Sequence, residues 1–155
     1  MVTLSEARQR SLATKKIRYQ ERKDRQRYSK EVSEEASRLS KELQNFSGSA
    51  QDFTIQYEKI KAQNSDVAKK LTINPSTLNN EVTRRIGLLN NEIKRVQRQI
   101  DNSKGDRKKY FSAELKGIKE GISQLKKGNI LSVKTITSYA KDQRRQTEKQ
   151  LKLIS

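Results

Sequence analysis

Apolar residues recur at alternating steps of four and three along most of this chain. This spacing places them on one narrow face of an α-helix, as in coiled coils and helical bundles. Four such stripes occur, and they comprise Tyr28, Val32, Ala36, Leu39, Leu43 and Phe46; Phe53, Tyr57, Ile60, Asn64, Val67 and Leu71; Leu78, Val82, Ile86, Leu89, Ile93, Val96 and Ile100; and Phe111, Leu115, Ile118, Ile122 and Leu125. The pattern predicts an all-α fold, an elongated, coiled-coil-like bundle of about five helices in antiparallel hairpins.

Capping and helix-breaking residues separate the stripes. Asn74 before Pro75 is a typical helix start, and Gly128 after two lysines is a typical helix end. Thr3 and Glu6 have the spacing of a capping box. The breaks divide one structural unit into a basic helical arm (1–30), a first helical hairpin (28–72), a second helical hairpin (74–128) and a basic C-terminal helix (129–155).

The segment 130–139 is the one place where a strand competes with a helix. It is rich in Val, Ile and Thr, which favour strands. No partner strand is evident in the sequence, so the segment is predicted to be helical.

Composition excludes several classes of protein. With no Cys and no His, the chain lacks the usual ligands of zinc, haem and iron–sulfur sites and the histidine of most hydrolase triads. No Gly-rich phosphate loop is present either, so we expect no cofactor, no metal and no enzymatic activity. Apolar runs never exceed two residues, which argues against a membrane span or a signal peptide. A cytoplasmic, nucleoid or virion-associated protein is expected.

The excess of positive charge is large and unevenly distributed. Lys and Arg number 35 against 18 Asp and Glu, a net charge of +17. Two basic stretches, 18–27 and 141–150, lack an apolar stripe, so neither is expected to pack into a core. They are either solvated helix ends or arms that bind a polyanion. The second reading assigns nucleic-acid contacts to Arg18, Arg22, Lys23, Arg25, Arg27, Arg144 and Arg145.

Residues 66–85 resemble a helix-turn-helix of the type in some insertion-sequence transposases and bacterial regulators. Val67, Ala68 and Leu71 match the apolar residues of its first helix, and Ile73 matches that of its turn. Leu78 and Val82 match the buried side of its second helix. The resemblance implies a DNA-reading face formed by Ser76, Thr77, Asn79, Asn80, Thr83 and Arg84. Such side chains pair with base edges or reach phosphates.

The chain departs from that motif in two ways, and one alternative stays open. Thr72 occupies the turn position usually held by Gly, and the second helix continues to about Ile100. The same apolar residues could simply be bundle core, with Pro75 starting a helix. Asn64 separates the readings: it either sets register within one long stripe or caps a short helix that starts at Ser65.

Together these features predict a non-enzymatic basic helical protein that binds nucleic acid, DNA in preference to RNA, largely through phosphates. Its role would be packaging, organisation or regulation. The alternative is a coiled-coil structural or adaptor subunit of a larger assembly, such as a virion or secretion machine, that docks on an acidic protein. The low apolar content, 31% of residues, indicates a homo-oligomer or a member of a larger assembly in both cases.

Overall fold

The computed structural model describes residues 4–154, and for Leu4 the backbone only. This part of the chain contains six α-helices and two very short strands, so the all-α prediction is confirmed. The elements are α1 (Leu4–Gln44), β1 (Gly48–Ser49), α2 (Ala50–Gln63), α3 (Ser65–Lys69), α4 (Leu78–Asp101), α5 (Asp106–Lys126), β2 (Asn129–Ile130) and α6 (Val133–Ile154). Thr3, half of the predicted capping box, lies outside the described residues.

The predicted breaks coincide with the observed ends of helices. Between the first and second apolar stripes, Ser49 caps α2, its hydroxyl accepting the backbone N–H of Asp52 at 3.0 Å. Asn74 caps a 3₁₀ turn, Pro75–Thr77, that leads into α4. Gly128 follows α5 with a φ of 97°, the left-handed conformation that glycine adopts at helix ends. These ends depend on local chemistry, which explains why the sequence predicts them.

Two core clusters bury the apolar stripes. In the first, the C-terminal half of α1 packs with α2, α3 and the start of α4; its buried residues are Val32, Ala36, Leu43, Phe53, Ile60, Val67, Ala68, Leu71, Ile73, Leu78 and Ile130. In the second, α4, α5 and α6 pack together; its buried residues are Leu89, Val96, Ile100, Ile118, Ile122, Leu125, Ile136 and Ala140. Helices of the same chain therefore cover all four stripes.

The segment 130–139 is helical from Val133 onward, as predicted. The prediction is wrong for Ile130, which lies in β2. A partner strand does exist, because Gly48 pairs with Ile130 and Ser49 with Asn129 in antiparallel register. The hydroxyl of Ser47 also accepts the backbone N–H of Ser132 at 2.8 Å. This small junction joins the loop after α1 to the entrance of α6.

Helices α5 and α6 pack unusually closely at two glycines. A Cβ on Gly117 would lie 2.9 Å from the Cα of Ala140, and one on Gly121 would lie 2.2 Å from a methyl of Ile136. Real Cβ atoms do not approach neighbours this closely, so both positions require glycine for the helices to meet.

Arg85 joins α4 to the end of α1. Its side chain is 1% exposed. Its guanidinium donates to Glu81, to main-chain carbonyls at and just after the end of α1, and to one carbonyl just before α6. The carbonyl acceptors are those of Leu43, Gln44, Phe46 and Leu131, at 2.8 to 3.3 Å. A cation at this point also complements the negative end of the helix dipole of α1. The contact fixes the direction of α1 relative to α4, the two helices that contain most of the candidate site.

Candidate nucleic-acid interface

The N-terminal part of α1 is an uncovered helical arm, defined here as residues 5–30. Every side chain from residue 5 to residue 31 is exposed, so no other described part of the chain packs over it. The arm is about 39 Å long at 1.5 Å per residue. It leaves the first core cluster at Tyr28, whose hydroxyl donates to Asp66 at 2.8 Å. The predicted unpacked stretch Arg18 to Arg27 lies wholly within this arm.

The charges of the arm are segregated on the helix surface. Because successive residues turn by about 100°, all its basic residues except Arg10 fall within about 200° of the circumference. This basic face comprises Arg8, Lys15, Lys16, Arg18, Arg22, Lys23, Arg25, Arg27 and Lys30. The acidic residues of the arm, Glu6, Glu21 and Asp24, fall within about 60° on the opposite side, together with Arg10. The arm therefore presents one strongly positive side.

Local contacts do little to neutralise the basic face. Arg25 lies 3.7 Å from Glu21, but both side chains are mostly exposed, so the pair is weak. Lys23 lies over the ring of Tyr19, 4.8 Å from its centroid, and keeps its charge. One edge of the face, Arg18, Arg22 and Arg25, continues the heptad register of the buried Val32 and its stripe. Charge replaces apolar residues at these positions, so the arm cannot extend the core.

The segment that resembles a helix-turn-helix folds as α3, a turn and the start of α4. Its apolar positions point into the first core cluster, where Val82 is half-buried and the others, Val67, Ala68, Leu71, Ile73 and Leu78, are buried. The second helix runs to Asp101, the length expected from the sequence. This packing is common to a helix-turn-helix and to a corner of a helical bundle.

Five of the six proposed base-reading side chains are exposed: Ser76, Asn79, Asn80, Thr83 and Arg84. Thr77 is the exception. It is half-buried, and its hydroxyl accepts the backbone N–H of Asn74 at 3.0 Å in a reciprocal capping box. The prediction that Thr77 faces solvent is therefore wrong, because its hydroxyl is needed to start α4.

Arg84 and Asn64 have defined partners. Arg84 forms an ion pair with Glu81 at 2.6 Å while 47% of its side chain stays exposed. Burial raises the pKa of Glu81, but hydrogen bonds from Arg84 and Arg85 outweigh burial, and the net pKa lies below its usual value. Asn64 caps α3, its side-chain oxygen accepting the backbone N–H groups of Asp66 and Val67. In the structure Asn64 therefore caps the short helix α3 and does not set the register of one long stripe.

The second basic stretch, 141–150, is not an unpacked arm. Arg144 is only 25% exposed on its side chain, donates to Glu114 at 2.9 Å and packs against the ring of Phe111. Glu114 is 1% exposed and also binds Arg95 of α4 at 3.2 Å. The prediction failed here because a buried carboxylate on α5, Glu114, and not an apolar stripe, binds this part of α6. Arg145 is exposed and pairs with Asp142 at 3.2 Å.

A second basic surface lies on α5, outside the contacts predicted from the sequence, and we call it the α5 lysine stripe. It consists of the exposed residues Lys108, Lys116, Lys119 and Lys126. These lysines recur at helical spacing on the exposed side of α5, beside the buried Ile118 and Leu125, a signal that was present in the sequence. The α5 lysine stripe and Arg145 lie on helices that form the second core cluster, whereas the arm extends from the first core cluster. The structure thus brings the arm next to α3, but does not bring it together with α6.

The described residues lack two further kinds of feature. Among residues 4–154, no helix is both long enough and apolar enough to span a lipid bilayer. The same residues contain no cluster of three or more side chains suited to hold a metal ion.

No protein family, curated protein or solved structure matches this chain.

Proposed function

We propose that this protein is a non-enzymatic nucleic-acid-binding protein whose main contact surface is the basic face of the α1 arm. The observation that supports this most is the segregation of charge on an uncovered helix: nine basic residues on one side and every acidic residue of the arm on the other. A helix used only for solubility needs no such segregation. Phosphates along a nucleic-acid strand match a row of exposed cations, because each contact releases condensed counterions.

We propose duplex DNA as the partner in preference to RNA because of α4. The exposed start of this helix presents Asn79, Asn80 and Thr83, which suit base edges in a major groove. The major groove of A-form RNA is too narrow and deep for side chains to read. A protein of this kind would package, organise or regulate DNA in a cytoplasm, nucleoid or virion.

The competing proposal is an adaptor that docks its basic arm on an acidic protein of a larger assembly. Tyr19, Ile17 and Leu12 on the arm are exposed and would add apolar contacts in such an interface. The two proposals differ in the expected response to salt and to duplex DNA. Binding of duplex DNA, single strands and heparin across a salt series separates them.

Base reading by α4 is tested by replacing Asn79 and Asn80 with Ala. Both side chains are exposed, so we expect unchanged helicity in far-UV circular dichroism. If they pair with adenine, affinity for a preferred sequence falls by about 1–3 kcal/mol per lost bidentate contact, while affinity for other sequences stays the same. Asn102→Ala, an exposed amide at the far end of α4, is the control. Equal affinities of variant and parent for every sequence would leave residues 66–85 as bundle core.

Self-association remains a prediction. The stripes are covered within the chain, so association would have to use other surfaces, such as the exposed Leu153 and Ile154 at the end of α6. If the protein is an oligomer, its melting temperature rises with protein concentration by mass action. Circular dichroism melts over a wide concentration range, with sedimentation to give the mass, measure this. A monomeric mass with a constant melting temperature would exclude the oligomer.

A further inference from the structure

Gly87 lies in the interior of α4 without any structural reason for a glycine. Glycine is the poorest helix former after proline, so an interior glycine weakens a helix. At Gly117 and Gly121 there is a reason to accept a weaker helix, because a Cβ at either position would collide with α6. At Gly87, by contrast, no heavy atom lies within 4 Å of the place a Cβ would occupy. Nothing described in this chain makes use of the missing side chain.

The surroundings of Gly87 form a continuous exposed face, which we call the α4 outer face. It consists of Asn80, Thr83, Gly87, Asn90, Asn91, Lys94 and Arg98, all exposed and opposite the buried Leu89 and Val96. From Asn80 to Arg98 this face contains no carboxylate. Glu81 is buried against arginines, and Glu92 points to Arg95 at 3.0 Å. The face therefore offers amides, a hydroxyl and two cations.

We propose that the α4 outer face binds in the major groove of duplex DNA, with Gly87 at the point of closest approach. This inference rests on the proposed function and extends it beyond the start of α4. A helix with its side chains is about 10–12 Å across and fits a groove about 12 Å wide. A glycine at the centre of the face lets the helix backbone approach the base edges. Asn90 and Asn91 are then placed to pair with adenine, and Lys94 and Arg98 with guanine or phosphates.

The test uses Gly87→Ala and Gly87→Leu in the full chain. Both changes supply a better helix former where there is open space, so we expect the melting temperature to rise, by roughly 2–4 °C for Ala. The affinity for duplex DNA should fall, although the melting temperature rises. Affinity for a mixed-sequence duplex of about 30 base pairs, long enough for both the arm and α4, should fall at least about tenfold for Gly87→Leu.

Gln99→Leu is the matched control, because Gln99 is exposed on the same helix but lies outside the α4 outer face. It adds the same apolar side chain and should leave affinity unchanged. A duplex with bulky glucosyl groups on its major-groove cytosines should bind the parent as weakly as the plain duplex binds Gly87→Leu. Parent-like affinity of Gly87→Leu for the plain duplex would overturn the inference while leaving DNA binding by the arm intact. Failure of the parent to bind any duplex would instead overturn the proposed function itself.

Discussion

Replacing Arg18, Arg22, Lys23 and Arg25 with Gln is expected to weaken binding to duplex DNA about equally for all sequences. The four side chains lie on the basic face of the arm and contact no core residue. Each lost phosphate contact should reduce the magnitude of the slope of log affinity against log salt concentration by roughly 0.9. At about 0.1 M salt this change corresponds to a loss of close to tenfold in affinity per contact. Fluorescence anisotropy across a salt series measures both quantities.

The α5 lysine stripe offers a control of equal charge. Replacing Lys108, Lys116, Lys119 and Lys126 with Gln removes the same number of charges from exposed positions on a different helix. If the arm is the contact surface, the arm variant loses far more affinity than the α5 variant. Equal losses would mean that net charge alone attracts the DNA, and the assignment of the interface to the arm would be wrong.

The arm variant also distinguishes the adaptor proposal. Thermal stability should not change, because the arm has no buried side chain to lose. An adaptor for an acidic protein would bind duplex DNA only feebly at physiological salt, even as the parent. A large loss of helicity in the arm variant would show that the arm packs against another surface.

The largest expected effect on stability comes from Arg85→Met. This change removes the hydrogen bonds to three main-chain carbonyls at and just after the end of α1 and to the carbonyl of Leu131 before α6. It also removes one partner of the buried Glu81. Removing one member of a buried ion pair costs about 3–5 kcal/mol, and unsatisfied buried carbonyls add to that loss. We expect the free energy of unfolding in urea to fall by at least this much, with a melting temperature lower by roughly 10 °C.

Arg84→Met is the matched control for Arg85→Met. Both arginines bind the same carboxylate of Glu81, but the side chain of Arg84 is 47% exposed and contacts no carbonyl of α1. Its loss should cost only about 1 kcal/mol, because Arg84 is half exposed and Arg85 still binds Glu81. Similar costs for the two variants would show that the junction of α1 and α4 does not depend on Arg85.

The positions of the helices were predictable because they depend on short-range chemistry. Apolar spacing, the Asn74–Pro75 start and the glycine after α5 act over a few residues, so the sequence alone indicates them. The same holds for the exposed arm, because a helix without an apolar stripe has no continuous face to bury. Asn64 needed the structure, since a cap and a register-setting Asn fit the same sequence.

What only the tertiary structure decided is which polar residues become buried. Arg85 and Glu114 look like ordinary surface residues in sequence, yet both are 1% exposed because their partners come from other helices. For the same reason Arg144 is packed although its stretch lacks apolar residues. The collisions at Gly117 and Gly121 likewise depend on where α6 lies, and the open space at Gly87 on the absence of any described neighbour within 4 Å of that side of α4. Local sequence determines where a helix forms and which side is apolar, but long-range packing determines which charges meet and which glycines are needed.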